Sequence, residues 1–527
     1  MGFLLAGVFI VTRPSTEVMG HPKGLFVLFL AEMWERFSFY GMRALLIFYL
    51  VQHWLFSDSE ASIIYGAYMA LVYITPVVGG YLADRFLGQR KAVLYGAILL
   101  TIGHFFMAFE GGGGQQDPAI NLFWLALALI IVGSGFLKAN ISVLVGQLYR
   151  RTDTRRDAAY TIFYMGINVG AATSAIICGY MGQTYGWQYG FGLAGFGMLI
   201  GLVFFILGKP LLLGRGEPSD PNALRGRREW GVYGAGFGMV GLCWLAIQYQ
   251  SLVGYVLGAF GGGLTLYVLS TAATRLPAEE RDRIFAAMFL IVVAIVFWAL
   301  FEQAGSSLNL FTDRYVDTQG VNASMFQSIN AIYIVLLAPL FAMLWQGLAR
   351  GGLEPSTPMK FGLGVVQVGL GFLVLVWGAR SVDIGVPTPV IFIFLIYLLH
   401  TTGELCLSPV GISAMNRLSP AHMASLVMGT WFFASAVGNF AAGLIAAATG
   451  AEGIGQDAGK LVVLEVYTSV GWYAVAIGAA VMMLSPLVRK LMHLDTLKDE
   501  VDGAQLAGSA EAGLEAQEGG IHPAARP

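Results

Sequence analysis

Long apolar runs, separated by short polar segments, extend over almost the whole chain. About 20 apolar residues are needed for a helix to cross the hydrocarbon core of a bilayer, and fourteen runs have that length. The predicted helices cover residues 24–54, 61–83, 91–109, 120–149, 158–181, 186–208, 229–247, 252–270, 284–312, 323–348, 361–379, 388–416, 421–449 and 462–488. The pattern therefore predicts an all-α integral membrane protein with fourteen transmembrane helices.

The spacing of the runs divides the helices into groups of six, two and six. We expect an N-terminal six-helix bundle at 24–208, a linker at 209–283 with an extra helix pair (229–247 and 252–270), and a C-terminal six-helix bundle at 284–490. Residues 1–23 are too short in their apolar part to span and are expected to be a cytoplasmic tail. Residues 491–527 turn to Ala, Gly and acidic residues, a composition typical of a disordered cytoplasmic tail.

The distribution of Arg and Lys sets the orientation. Basic residues cluster in alternate loops, as at Arg85, Arg90 and Lys91, whereas the intervening loops contain only Arg314, Arg380 and Lys460. Basic loops stay on the cytoplasmic side of a membrane. Both termini are therefore expected in the cytoplasm and the protein in the cytoplasmic (inner) membrane.

Composition excludes several classes of protein. Hydrophobic residues make up 57% and charged residues 12% of the 527 residues, against roughly 25% charged in soluble domains. The net charge of -2 gives no reason to expect nucleic acid as a partner. Cys178, Cys243 and Cys406 are too scattered for a disulfide framework or thiolate metal site and are expected in the core. We expect no metal, no cofactor and a monomer.

Seven charged residues fall well inside the predicted spans. A buried charge costs about 2.5 kcal/mol or more at a helix centre, and such residues usually mark a transport pathway. They are Glu32, Glu35, Arg36, Arg43, Lys138, Glu302 and Glu404. Inert ion pairs are the alternative, but pairing at best breaks even and does not explain seven such charges.

The spacing of the charges in the first helix gives it a polar stripe. Glu32, Glu35, Arg36, Tyr40 and Arg43 lie at i, i+3, i+4, i+8 and i+11, on one helix face. The other half contributes Glu302 and Glu404. Bases on one side and acids on the other are what a cavity for a zwitterion requires, and such carboxylates can exchange protons.

Several motifs place these residues in a known pattern. The segment EMWERFSFYG (Glu32 to Gly41) resembles the E-x-x-E-R-F-x-Y-Y-G signature of the proton-dependent oligopeptide transporter family. Further matching segments are GSGFLKAN, FYMGINVG, FWALFEQAGSSLNLF, FQSIN and TTGELCLSPVG, starting at Gly133, Phe163, Phe297, Phe326 and Thr401. The resemblance implies a major facilitator fold, with two six-helix bundles rocking about a central site.

The resemblance also implies roles for individual residues. It implies a peptide-binding site of Arg36 and Lys138 for the carboxylate, Glu404 for the amino terminus, Asn168 and Asn330 for the backbone, and Tyr40, Tyr73 and Trp431 for side chains. Glu32, Glu35 and Glu302 would be the proton-responsive carboxylates, and Glu302 would close the outside by pairing with Arg43 and Lys138.

Three departures from the family pattern affect the expected site. Phe39 replaces a Tyr, which removes a hydroxyl and can change side-chain preference. Ala139 replaces a Pro after Lys138, which predicts a straighter fourth helix. Gly66 stands where animal members have a His, so proton coupling here would depend on carboxylates alone.

The expected function is proton-coupled import of di- and tripeptides by alternating access, and the protein is not expected to be an enzyme. A carrier of nitrate or another small anion has the same fold, but such a site has no use for Glu404. A membrane-embedded enzyme lacks support, since no G-x-S-x-G motif or His-rich cluster is present. A passive channel is disfavoured by charges in both halves and would differ in showing no dependence on the proton gradient.

Overall fold

A computed structural model describes residues 17–150, 153, 155–218, 226, 229–450, 453 and 455–494. Most of the two predicted tails, residues 1–16 and 495–527, lies outside this part. Within it, a long helix stands at each of the fourteen predicted positions. The prediction of a fourteen-helix, all-α membrane protein is confirmed.

The helices follow one another with short connections. In chain order they are α1 (Lys23–Phe48), α2 (Asp58–Leu82), α3 (Gln89–Met107), α4 (Ile120–Gln147), α5 (Arg155–Tyr185), α6 (Trp187–Leu207), α7 (Glu229–Gln248), α8 (Gln250–Arg275), α9 (Ala278–Phe301), α10 (Ser307–Tyr315), α11 (Ser328–Arg350), α12 (Thr357–Arg380), α13 (Ile391–Leu418), α14 (Ala424–Ala447) and α15 (Gln456–Leu491). The short α10 continues α9, so the two form one crossing. The structure also contains two short pairs of strands. β1 (Glu17–Val18) pairs antiparallel with β2 (His21–Pro22), and β3 (Val316–Asp317) pairs parallel with β4 (Thr388–Pro389).

Hydropathy agrees with this assignment. Among the described residues, twelve helical segments are long and apolar enough to cross a membrane. The two remaining long helices are α1, which contains the polar stripe, and α3, which begins beside Arg90 and Lys91. Charges therefore lower the hydropathy of α1 and α3 while both keep a spanning length.

Local sequence explains where α2 begins. The backbone N–H and hydroxyl of Ser57 donate to Glu60 Oε2 over 3.2 and 3.0 Å, and the Glu60 N–H donates to Ser57 Oγ over 3.1 Å. This reciprocal capping box satisfies backbone donors that have no partner at a helix start. The first turn also contains Asp58, which favours the positive end of the helix dipole.

The predicted crossing at 284–312 is present, but its helix is interrupted. A 3-10 turn at Glu302–Gly305 separates α9 from α10, and Ser306 has φ −126° and ψ −99°, outside the helical region. The Gln303 amide spans the break by donating to the carbonyls of Ala299 (2.9 Å) and Ala442 (3.0 Å). Ser307 donates to Gln303 Oε1 over 2.6 Å. Side-chain hydrogen bonds thus offset the interrupted backbone ladder.

Contacts divide the described residues into two compact units. The first unit contains residues 17–45 and Leu71–Gln248, and the second contains Leu46–Ala70 and residues 249–494. The end of α1 and the start of α2 thus pack with the second half of the chain, whereas the predicted N-terminal bundle at 24–208 assigned them to the first. In the second unit a Cβ on Gly66 would lie 2.7 Å from the Gly443 Cα, so α2 and α14 approach closely only because both residues are glycine.

The extra helix pair is divided between the units. In the first unit, α7 is attached to α3 by the Lys91–Glu229 ion pair (2.5 Å) and by the Tyr95 hydroxyl, which donates to the Tyr233 carbonyl over 2.9 Å. In the second unit, Gly254 of α8 faces the Phe440 ring on α14. The division falls at the α7–α8 junction, where Tyr249 has non-helical φ and ψ of −114° and 67°.

The loop after α6 is attached to the first unit. Arg90 Nε lies 2.5 Å from Glu217 Oε1, and the Gly216 N–H donates to Gln147 Oε1 over 2.8 Å. Partial burial opposes ionisation of Glu217, but the hydrogen bond and charge of Arg90 outweigh it and lower the pKa of that carboxyl. The linker that leads to α7 therefore begins at a fixed point.

Candidate functional site

The centre of α1 contains a buried guanidinium shared by two carboxylates. Arg36 Nε lies 2.7 Å from Glu32 Oε1 and 3.3 Å from Glu35 Oε2. Glu32 and Glu35 are 0% exposed and Arg36 is 3% exposed. The i, i+3, i+4 spacing predicted from sequence brings the three groups together on one face of α1, and their charges compensate in part.

Some polar atoms of this group have no hydrogen-bond partner among the described residues. They are Glu32 Oε2, both carboxylate oxygens of Glu35 and Arg36 Nη2. A buried polar atom without a partner costs free energy and is uncommon unless a proton, water or ligand meets it. The group therefore has the capacity to accept protons or to bind a charged ligand.

Lys138 on α4 lies against aromatic rings. Its Nζ is 3.7 Å from the centroid of the Phe39 ring and 5.7 Å from that of Tyr73. Lys138 is 2% exposed and Phe39 is 1% exposed. The α4 helix is continuous through Ala139, in agreement with the absence of Pro there.

The other predicted residues of the first unit lie on α1, α2 and α5. The Arg43 guanidinium carbon lies 5.7 Å from the Tyr40 ring centroid. Tyr40 and Tyr73 are half-buried. On α5, Asn168 is 4% exposed, and its amide donates to the Tyr164 carbonyl over 3.2 Å, a bond within its own helix. Its carbonyl oxygen is not used in that bond.

In the second unit, Asn330 and Glu404 lie together. The Asn330 amide donates to Glu404 Oε2 over 3.0 Å and to Thr401 Oγ1 over 3.1 Å. Glu404 is 8% exposed, in the middle of α13. A donor amide holds the carboxylate in one orientation, which prepares it to meet a cationic group.

Glu302 and Trp431 occupy different surroundings in that unit. Glu302 is 3% exposed and is the first residue of the 3-10 turn between α9 and α10. Trp431 on α14 is 1% exposed and packs on Gly411, with Phe361 beside it at a ring-centroid distance of 6.3 Å. Its indole N–H has no hydrogen-bond partner among the described residues. That N–H is therefore available to an acceptor.

The ion pair between Asp58 and Arg314 was not predicted from the sequence. Arg314 at the end of α10 contacts Asp58 at the start of α2 through two bonds, Nη1 to Oδ2 at 2.5 Å and Nη2 to Oδ1 at 2.8 Å. The two side chains are 32% and 12% exposed. The sequence does mark both residues: Arg314 is one of only three basic residues in the loops with few bases, and Asp58 lies at the start of a helix. Neither signal specifies a partner 256 residues away.

The fold and the buried charges define a class of protein. Fourteen helices of membrane-spanning length, in two units that each enclose buried ionisable groups, are typical of a secondary transporter. The family model described as POT family matches residues 90–457. The chain belongs to the POT family of membrane transporters.

Individual relatives align with this chain over most of their length. The peptide transporter YePEPT of Yersinia enterocolitica is 37% identical over 464 residues, which cover 82% of this chain and 89% of that protein. A di-/tripeptide transporter of Lactococcus lactis is 33% identical, with coverage of 80% and 89%. A crystal structure of a mutant POT peptide transporter in complex with alafosfalin superimposes with a TM-score of 0.79, at 33% identity, covering 92% of this chain and 99% of that one. The major facilitator fold is confirmed.

The bidentate Asp58–Arg314 pair should stabilise the second unit. In a double-mutant cycle, Asp58→Asn and Arg314→Gln should each lower the free energy of unfolding in detergent. The double variant should lose about 1–2 kcal/mol less than the sum, since paired charges are coupled.

The control cycle uses the pair Arg283–Glu279, in the same unit but 3.7 Å apart, with Glu279 56% exposed. Its coupling should stay below about 0.5 kcal/mol. Additive losses at Asp58 and Arg314 would contradict the prediction.

Proposed function

We propose that this protein is a symporter that imports di- and tripeptides with protons across the cytoplasmic membrane. The observation that carries the proposal is the opposite charge of the buried side chains. The first unit contains the bases Arg36 and Lys138, and the second contains the carboxylate of Glu404, which is hydrogen-bonded by Asn330. A peptide with free ends presents a carboxylate to the bases and an ammonium to the acid. The relatives named as peptide transporters support this assignment.

The placement in the membrane is part of the proposal. Basic loops alternate with loops that contain few bases, which supports cytoplasmic positions for both termini in the inner membrane. We also propose that the protein acts as a monomer, because the repeated bundles of this fold form the whole pathway within one chain. The bundle and linker boundaries at 24–208, 209–283 and 284–490 remain a proposal of the same kind.

The anion-carrier alternative is weaker. A nitrate carrier gains nothing from a buried carboxylate that an amide keeps oriented, since Glu404 would repel the substrate. Glu404 is therefore the residue that separates the two functions.

Uptake into liposomes tests the proposal directly. Purified protein should accumulate labelled dialanine when the outside is acidic, and collapse of the gradient should abolish accumulation. A potential of 100 mV supplies about 2.3 kcal/mol per proton charge, roughly 50-fold accumulation. Gradient-independent equilibration would indicate a channel, and nitrate accumulation without dialanine uptake would favour the anion carrier.

Replacement of Glu404 by Gln should weaken binding of peptides with a free amino terminus by about 1.5–3 kcal/mol, since a charge-assisted hydrogen bond is lost. Amino-blocked analogues should bind nearly as before, because Gln can still accept from Asn330. Competition binding with both peptide types measures the difference.

The matched control is Glu465→Gln, an exposed Glu on α15 in the same unit. It should leave both affinities unchanged. Equal losses of blocked and free peptides in Glu404→Gln would contradict the assignment of Glu404 to the ammonium.

We also propose that Glu302, Glu32 and Glu35 are the proton-coupling carboxylates, and that Glu302 with Arg43 and Lys138 forms the gate implied by the family resemblance. Glu302→Gln should act as a permanently protonated group. The pH dependence of peptide binding should then flatten between pH 5 and pH 8, as measured by binding titrations. A variant that keeps the parental pH dependence would assign the proton to Glu32 or Glu35 instead.

A further inference from the structure

The Phe39 ring lies against the Lys138 ammonium. The Nζ lies 3.7 Å from the ring centroid, well inside the roughly 6 Å limit for a cation–π contact, and both residues are buried. Tyr73 offers a second ring at 5.7 Å. Lys138 forms no ion pair with any carboxylate of the described residues.

The two bases of the first unit are therefore held in different ways. Arg36 is bound to Glu32 and Glu35, so much of its charge is already compensated. A ring face attracts an ammonium without accepting its N–H bonds in the way that an oxygen does. Lys138 consequently keeps its three donors for another acceptor.

Phe39 differs chemically from the Tyr found in the family signature at this position. A phenol would add a hydroxyl that can accept from the ammonium, whereas Phe offers the ring alone. From sequence alone, the missing hydroxyl predicts a changed side-chain preference. The structure places the Phe39 ring against Lys138.

We propose that Phe39 is a positioning residue that sets the affinity for the substrate carboxylate by holding Lys138 on its ring face. This inference rests on the proposed peptide transport. Phe39 acts through Lys138, fixing the ammonium while leaving its donors to the incoming carboxylate.

The test compares dialanine with dialanine amide, which lacks the carboxylate, in binding to the purified full chain. Phe39→Leu keeps apolar volume but removes the ring, and should weaken dialanine about 3- to 30-fold relative to the amide. Phe39→Trp, which keeps a ring face, should restore most of the ratio. The control Phe136→Leu removes an equally buried ring of α4, which packs on Tyr95, and should not alter the ratio.

A fluorinated series removes the concern that Phe39→Leu disturbs folding. Mono-, di- and pentafluorophenylalanine at position 39 keep the shape of the ring while weakening its negative face. The dialanine-to-amide affinity ratio should fall with each added fluorine. An unchanged ratio in both series, or equal losses for both peptides, would overturn the role of Phe39. A parent protein that binds no dialanine would instead overturn the proposed function.

Discussion

A buried guanidinium that serves two carboxylates of its own helix is the constraint on which the first unit depends. Arg36 lies within 3.3 Å of both Glu32 and Glu35, and all three side chains are at most 3% exposed. Loss of Arg36 would leave two uncompensated carboxylates in a poorly solvated environment, which costs several kcal/mol. A neighbouring helix packs closely against this group. A Cβ on Gly170 of α5 would lie 2.3 Å from the Met33 carbonyl oxygen of α1, so glycine is what allows the two helices to approach this closely.

The second unit holds its buried carboxylate in a different way. Its carboxylate at Glu404 has an amide partner, Asn330, and the amide orients the charge without cancelling it. A carboxylate oriented in this way attracts a cation, whereas the bases of the first unit, Arg36 and Lys138, attract an anion. Within the proposed function, the bases of the first unit suit a carboxylate and the acid of the second suits an ammonium, which is why the buried charges argue for peptides.

The sequence predicted the helices well and the tertiary contacts poorly, for physical reasons. Hydropathy sums over about 20 residues, so every crossing was detectable. The break at Glu302–Gly305 depends on a few residues and on a Gln303 amide that reaches Ala442, which no local pattern encodes. The Asp58–Arg314 pair likewise requires knowledge of which helix ends meet. The α1 stripe was predictable because helix geometry alone brings i, i+3 and i+4 together.

Within the proposed function, charge balance in the first unit explains why a proton and a peptide would travel together. With every group ionised, Glu32 and Glu35 balance Arg36 and Lys138, and the set is formally neutral. A substrate carboxylate bound there would add a negative charge to a poorly solvated site, at a large energetic cost. A proton on one of the two carboxylates restores neutrality and also weakens the hold of that acid on Arg36. The Glu35 oxygens accept no hydrogen bond from the described residues, so a proton bound there would displace no donor. Coupling then follows from electrostatics, because neither the proton nor the carboxylate is well accommodated alone.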